Sequence, residues 1–358
     1  MGKEAGTTIF AGNADEFLPP YTPEKEFDIS FEQFDVRYDE AVSRGPRFGR
    51  FYPKGLLRGI PGVFRGNPEP FRCVGLAEKE IMVDFNHPLS HYSAQLSAVI
   101  ESVGSKQGDV GGQCTDWGEV LLQGPGMQAR RRGFATDFFS DSPFRRDDES
   151  DDAVFYRVPR LVTHIDDEAV GVIRAIYGSH VRSGMRVLDL MSSFRSHIPE
   201  DVRLQALEGL GLNGEEMEKN PQLTGFVIHD LNRDHRLPFR DRSFDAVICT
   251  VSVEYLVKPF EVFAEVARVL EPGGIFIVTF SNRWFPPKTI RVWRELHEFE
   301  RMGLVLEYFQ QTGQFQDLHT YSSRGRPRPF HDKYFLETQQ SDPVYAVWGR
   351  TPKEVATS

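Results

Sequence analysis

From Phe155 onward, short apolar runs of strand length alternate with stretches whose apolar residues recur at helical spacing. That alternation leaves few folds open, because strand, helix and strand in succession lay the strands side by side and parallel, with the helices covering the faces. Residues 186–190, 204–207, 225–229, 244–250 and 275–280 read as the five strands. The fourth has an apolar run suited to burial on both sheet faces. Ala169, Val170, Val172, Ile173, Ile176 and Tyr177 fall on one helix face behind Asp166 and Asp167, whose charges suit a helix N-terminus. A second helix is predicted over 259–270, with Pro259 in its first turn, Val262, Phe263, Val266 and Leu270 on its apolar face, and a stop at Pro272, Gly273 and Gly274. The reading is an α/β domain over 153–350, its parallel sheet wound on both faces, followed by a tail at 351–358.

The remainder of the 358 residues has a different texture. Residues 1–46 are rich in Phe, Asp, Glu and Pro without a sustained period, and read as an extended leader. Residues 47–103 carry β-like runs at 71–76, 81–85 and 94–100 between Gly and Pro, which predicts a small β-rich module. Residues 104–152, dense in Gly, Arg and Asp, read as a solvated linker. With 42 Lys and Arg against 52 Asp and Glu, the net charge of -10 gives no overall basic footprint for nucleic acid. Cys73, Cys114 and Cys249 have neither disulfide-framework nor zinc-ligand spacing, so no metal is expected. No apolar run approaches the ~20 residues that span a bilayer, and the first thirty residues are not apolar as a signal peptide would be. A soluble protein of a reducing compartment is expected, without membrane or nucleic-acid partners.

In an open α/β sheet, ligands bind beyond the carboxyl ends of the strands, where the strand order switches. Beyond the first strand stand Asp189, Met191, Ser192 and Ser193, a carboxylate followed by small polar residues. Beyond the third stand Asp230 and Leu231, where a carboxylate accepts an amine hydrogen bond and the neighbouring amide donates one. Taken together, Val187-Leu-Asp-Leu190, His229 and Asp230 with Leu237-Pro-Phe239, Ser243-Phe-Asp-Ala-Val-Ile248 and Arg268-Val-Leu-Glu-Pro-Gly-Gly274 resemble, in order and spacing, a class I S-adenosylmethionine-dependent methyltransferase of the small-molecule, type 11-like kind. Ser196-His-Ile-Pro199 and Phe280-Ser-Asn-Arg283 narrow the resemblance to an uncharacterised branch found in bacteria and plastid-bearing organisms. The resemblance implies a Rossmann-like sheet, S-adenosyl-L-methionine as cofactor, and a cytoplasmic or plastid-stromal location. It places Asp189, Met191, Ser192, Ser193, Gly211, Asn213, Asp230, Leu231 and Thr250 at the cofactor.

Two departures stand out. The family's first turn has glycines where this chain has Met191, Ser192 and Ser193. At Gly211 the family carries an acidic residue for the ribose hydroxyls, so Asn213 or Glu208 is expected to take that role. Methyl transfer from a sulfonium needs the acceptor held in line and, for an acidic acceptor, a base. Residues 155–166, ahead of the first strand, supply candidates: Tyr156 to border the methyl, Arg160 to hold a carboxylate and His164 to accept a proton, set against plain packing and capping roles. Thr250-Val-Ser-Val253 is unlike the Asn/Asp-Pro-Pro-Tyr/Phe motif of amino-group methylases, which favours a small-molecule acceptor over RNA or protein.

In the N-terminal module, Phe51-Tyr-Pro53, Gly62-Val-Phe64 and Val83-Asp-Phe-Asn-His-Pro-Leu89 resemble part of a SlyD-type, FKBP-like prolyl isomerase. This implies polypeptide contact through the module. The polar chain before Phe51 offers no further pocket walls, so efficient isomerisation is not expected. His87 and His91, taken as lacking a supporting carboxylate or Cys, read as turn residues. The competing reading of the whole chain is a non-catalytic ligand-binding or folding-helper protein.

Overall fold

The computed structural model describes residues 6–13, 18–39, 44–100, 103 and 124–354, without the side chains of 8–13 and 96–99. The linker expectation over 104–123, Cys114 and the last residues of the tail lie outside the described residues. The chain divides into two compact units, Met1–Phe138 with Glu295–Gly303, and Phe139–Arg294 with Leu304–Ser358.

In the first unit, β1 (Thr8–Asn13) pairs antiparallel with β6 (Gln95–Val99) as a separate two-stranded sheet. A four-stranded antiparallel sheet has the order β2-β5-β4-β3, with β2 Glu26–Ser30, β3 Phe51–Pro53, β4 Pro70–Leu76 and β5 Glu80–Asp84. Residues 1–46 are therefore not simply an extended leader. Glu26–Ser30 is an edge strand in register with β5, Phe27 opposite Val83, and five residues between polar turns are too few to announce a period. Ile29, Tyr52, Phe71, Cys73, Ile81 and Val83 form the sheet's core, whereas Phe64 is 65% exposed. Asn86 ties the Asn-His-Pro-Leu turn to Thr22, accepting from its N–H at 2.8 Å and donating to its carbonyl at 3.0 Å. His91 has carboxylates after all, Asp84 at 2.8 Å and Glu26 at 3.8 Å. Chain folding brings Glu26 there, out of reach of any local spacing. Arg131, 2.6 Å from Glu26, already supplies the cluster's positive charge. Arg131, Arg146 and Asp152 are buried, so the stretch 124–152 is not the solvated linker its composition suggested.

Four helices of the second unit bear on the site: α1 (Asp152–Phe155), α2 (Asp167–His180), α3 (Gly214–Glu218) and α4 (Pro259–Val269). The sheet comprises β7 (Arg186–Leu190), β8 (Ala206–Gly211), β9 (Gly225–Ile228), β10 (Phe244–Thr250), β11 (Leu270–Phe280), β12 (Gln316–Ser323) and β13 (Val344–Arg350), in the order β12-β13-β11-β10-β7-β8-β9. β7 to β11 run parallel, while β13 is antiparallel to both β11 and β12. The sheet is thus mixed and Rossmann-like rather than all parallel. No helix joins β12 to β13, and without a crossover the chain returns antiparallel. The second strand ends at Gly211, four residues beyond the predicted 207.

Packing follows the sequence pattern. The Asp166 side chain caps α2 by accepting from the Ala169 N–H at 2.8 Å. The α2 residues Ala169, Val172, Ile173, Ile176 and Tyr177 pack with Val187, Leu207, Ile248 and Ile277 of the sheet. From α4, Val262, Phe263 and Val266 are fully buried. Cys73 and Cys249 are buried free thiols. No helix among the described residues is long and apolar enough to cross a membrane. The chain enters at β7, adds β8 and β9 on one side and then β10 and β11 on the other. The switch in direction opens a crevice outside the carboxyl ends of β7 and β10.

Candidate functional site

A cavity of about 310 Å³ lies in the second unit, and its walls include Asp189, Met191, Ser192, Ser193, Gly211, Asn213, Asp230, Leu231 and Thr250 from the strand ends. Tyr156, Arg160 and His164 line it as well, so the segment ahead of β7 and the strand ends meet on one space.

At the end of β7, Asp189 is buried, and its Oδ2 accepts from the hydroxyls of Ser192 and Ser196, each at 2.6 Å. Burial pushes its carboxyl up to about 6, against the pull of those two serines. Met191 has φ 58, the left-handed conformation that glycine supplies more easily. Ser192 donates its N–H to the Leu210 carbonyl at 2.8 Å. A Cβ on Gly211 would lie well inside contact distance of the Ser192 carbonyl oxygen. No side chain fits at 211.

Asn213 is the N-cap of α3, its Oδ1 accepting from the Glu216 N–H at 3.1 Å while its Nδ2 donates to the Tyr156 carbonyl at 2.8 Å. Asn213 is thereby committed to anchoring the segment ahead of β7. Glu208 does not line the cavity and instead faces Thr224 at 3.5 Å. Glu216 does line it, with Oε2 accepting from Ser193 Oγ and Oε1 from the Arg160 N–H, both at 2.6 Å. The sequence reading missed Glu216. Its only signal was an Asn followed three residues later by Glu at a helix start, which reads as capping.

The Asp230 carboxylate accepts from the N–H groups of Asn232 at 2.9 Å and Arg233 at 3.3 Å, and Leu231 is buried. Thr250 Oγ1 is engaged with the buried Tyr177 hydroxyl at 2.6 Å. The next residue, Val251, holds φ 46, an outlier for a β-branched residue and a sign that the turn is held by its surroundings. His197 also lines the cavity, and burial, with Arg174 and Arg195, lowers its imidazole to about 4. His229 is half-buried and lines the cavity too, with Nε2 2.8 Å from the Asp234 carbonyl.

On the side ahead of β7, the Tyr156 hydroxyl is buried without a hydrogen-bond partner, and burial raises its phenol above the usual range. The Arg160 guanidinium sits 4.8 Å from the ring centre of Phe155, 5.0 Å from Phe285 and 5.6 Å from Tyr156. The His164 ring meets Phe285 edge-on at 5.0 Å, and burial, followed by the Arg160 charge, lowers its imidazole. Phe285 and Tyr255, 6.1 Å apart and stacked, are wall residues that sequence reasoning also missed.

Residues 211–278 match a family described as a methyltransferase domain, Methyltransf_11. The malonyl-[acyl-carrier protein] O-methyltransferase of Marinomonas sp. (strain MWYL1) is 30% identical over 79 residues, 22% of this chain and 28% of that protein. The fatty-acid O-methyltransferase of Mycolicibacterium smegmatis is 36% identical over 105 residues, 27% of this chain and 37% of its own. The chain spans well under half the length of either relative. Among solved structures, the methyltransferase in complex with the Haloferax volcanii Trm112 activator aligns with TM-score 0.39 and 17% identity, covering 52% of this chain and 91% of that one. A Haemonchus contortus phosphoethanolamine N-methyltransferase with bound S-adenosylhomocysteine aligns with TM-score 0.36 and 13% identity, covering 51% and 52%.

Proposed function

We propose that the second unit binds S-adenosyl-L-methionine and transfers its methyl group to a small-molecule acceptor. The observation that carries this reading is that carboxylates from the end of β7, the helix after β8 and the turn after β9, Asp189, Glu216 and Asp230, line one cavity, within or beside the segment matched by the methyltransferase family. The two relatives described above act, by their names, on malonyl-acyl-carrier protein and on fatty acids.

The donor set fits the cofactor. That molecule offers an ammonium, two ribose hydroxyls and an adenine amine, and each calls for an acceptor in its own part of the site. Asp189 takes the ammonium, with Met191, Ser192 and Ser193 shaping the turn around it. Glu216 takes the ribose in place of the acid that Gly211 cannot be, and Gly211 lets the backbone approach closely. Asp230 accepts the adenine amine while the Leu231 amide faces the ring. Asn213 fixes the cover over the site, and Thr250 closes the floor between β10 and β7. When bound, the cofactor supplies a methyl group on a cationic sulfur, ready for displacement. The chain's own task is then to hold an acceptor in line and keep water out, with Tyr156 bordering the methyl, Arg160 holding an anionic group and His164 available to a proton.

Calorimetry with S-adenosylhomocysteine tests this. The full chain is expected to bind it, and Asp230→Ala to bind it about threefold to thirtyfold more weakly, the usual effect of one lost hydrogen bond or somewhat more. Absence of binding to the full chain would remove the reading. For the first unit, polypeptide contact through residues 47–103 remains our reading, motivated by Phe64, exposed on the loop between β3 and β4. A prolyl-peptide assay on the full chain should stay near the uncatalysed rate, and strong acceleration would restore the isomerase resemblance.

A further inference from the structure

Arg160 is held but not neutralised. Three ring faces fix its plane, and Nη2 donates to the Phe155 carbonyl at 3.2 Å. Nη1 is buried with no hydrogen-bond partner, like the Tyr156 hydroxyl. No ion pair to Arg160 forms among the described residues. Glu216 receives the backbone N–H of Arg160 rather than its guanidinium, and its other oxygen is taken by Ser193. Two buried donors, one of them cationic, thus stand unsatisfied on residues that line one cavity. The desolvation they suffer is recovered only when an oxygen reaches them.

Building on the methyltransferase reading, we propose that Arg160 Nη1 and the Tyr156 hydroxyl form a subsite for the acceptor's carboxylate, so that the product is a methyl ester. A planar guanidinium edge matches a carboxylate in geometry and charge. The cavity also holds the carboxylates of Asp152, Asp189, Glu216 and Asp230 against the guanidiniums of Arg160, Arg195 and Arg283, and that excess of negative charge suits a monoanion better than a phosphate. Tyr255, Trp284, Phe285 and Val162 on the walls favour an acid with an apolar or aromatic body.

The chemistry balances without a further reagent. A carboxylate oxygen forms the bond to the methyl carbon as the carbon–sulfur bond breaks, and the sulfur keeps that electron pair. One anion and one sulfonium cation give a neutral ester and a neutral thioether. An acceptor carboxylate is already ionised at neutral pH, so no proton is released for His164 to take. The imidazole, which its surroundings keep neutral, then serves to position rather than to deprotonate.

The cofactor's own amino-acid carboxylate has the same chemistry as the acceptor's, so the experiment has to separate them. The full chain, saturated with S-adenosylhomocysteine, is titrated with hexanoate and benzoate and with the matching amides, and methyl ester formation from S-adenosylmethionine is followed by mass spectrometry. At least one carboxylate is expected to bind about tenfold or more tightly than its amide. Arg160→Met should lose that preference and the ester product while keeping S-adenosylhomocysteine affinity within about threefold, with Tyr156→Phe losing part of it. Arg160→Lys, which keeps charge without the fork, should fall between. Carboxylates binding no better than amides would overturn the proposal. So would an Arg160→Met protein that loses S-adenosylhomocysteine instead, which would assign the subsite to the cofactor. A wild-type chain that binds no S-adenosylhomocysteine fails at the earlier step and removes the methyltransferase reading itself.

Discussion

Asparagine in place of Asp189 is expected to give a protein that melts higher than the wild type at pH 8 and binds S-adenosylhomocysteine about 10-fold to 100-fold more weakly. Burial holds the carboxyl near 6 in the folded chain, against about 3.9 in an unfolded one. The folded state therefore keeps its proton more tightly, and the stability this lends is complete below about pH 4 and lost as pH rises through about 6. At pH 8 the buried charge costs on the order of 2–3 kcal/mol. Asparagine has the same shape, still accepts from Ser192 and Ser196, and carries no charge, so it recovers much of that cost, roughly 5 °C in melting temperature for a unit of this size. What it cannot do is meet an ammonium with a full negative charge, an interaction worth about 1.5–3 kcal/mol. The melting difference should shrink toward zero on acidification from pH 7 to pH 4. A constant difference across that range, or unchanged affinity for S-adenosylhomocysteine, would show that Asp189 is an ordinary buried acid.

This conflict between stability and binding explains why some of the site was legible before folding was known and some was not. A carboxylate at the end of an apolar strand is locally anomalous, so Asp189 and Asp230 declare themselves in the sequence. The same holds for the sheet, since the β10 residues Ala246 to Cys249 have no polar face and can only be buried. Glu216 declares nothing. It lies on a five-residue helix behind a capping Asn213, and the role we propose for it rests on the Ser192 carbonyl having closed position 211 to any side chain. The aromatic cage around Arg160 draws Phe155 and Tyr156 from one stretch and Phe285 from beyond β11, a meeting set by the switch in strand order. The carboxylates around His91 are the parallel case in the first unit, since Asp84 is local but Glu26 arrives only when β2 pairs with β5. Contacts made within a turn of chain could be read, while those made across the sheet waited for its order.

Removing the carboxylate of Asp152 should have the largest effect on stability, about 3–5 kcal/mol for Asp152→Ala. Lys288 is fully buried, with Nζ 3.1 Å from Asp152 and 3.2 Å from Asp148, and it donates to the Ser150 carbonyl at 2.6 Å. Arg146, also buried, donates from Nη1 to both oxygens of Asp152, at 2.8 and 2.7 Å. Alanine would leave two buried cations sharing Asp148 and Glu149, both of which are far more exposed. Asn232 donates to Asp152 at 2.8 Å and to the Tyr255 carbonyl at 2.9 Å, so the loop after β9 loses an anchor as well, and affinity for S-adenosylhomocysteine should fall with stability. Burial alone would raise the Asp152 carboxyl, but Asn232 and Arg146 outweigh it and leave the group below its ordinary value. Its contribution is therefore present above about pH 4 and fades as pH drops through the lowered folded value. Denaturant melts of wild type and variant should accordingly stand furthest apart at neutral pH and converge in acid. A neutral-pH difference below about 1 kcal/mol would mean that water reaches Lys288 and that the network is only a surface cluster.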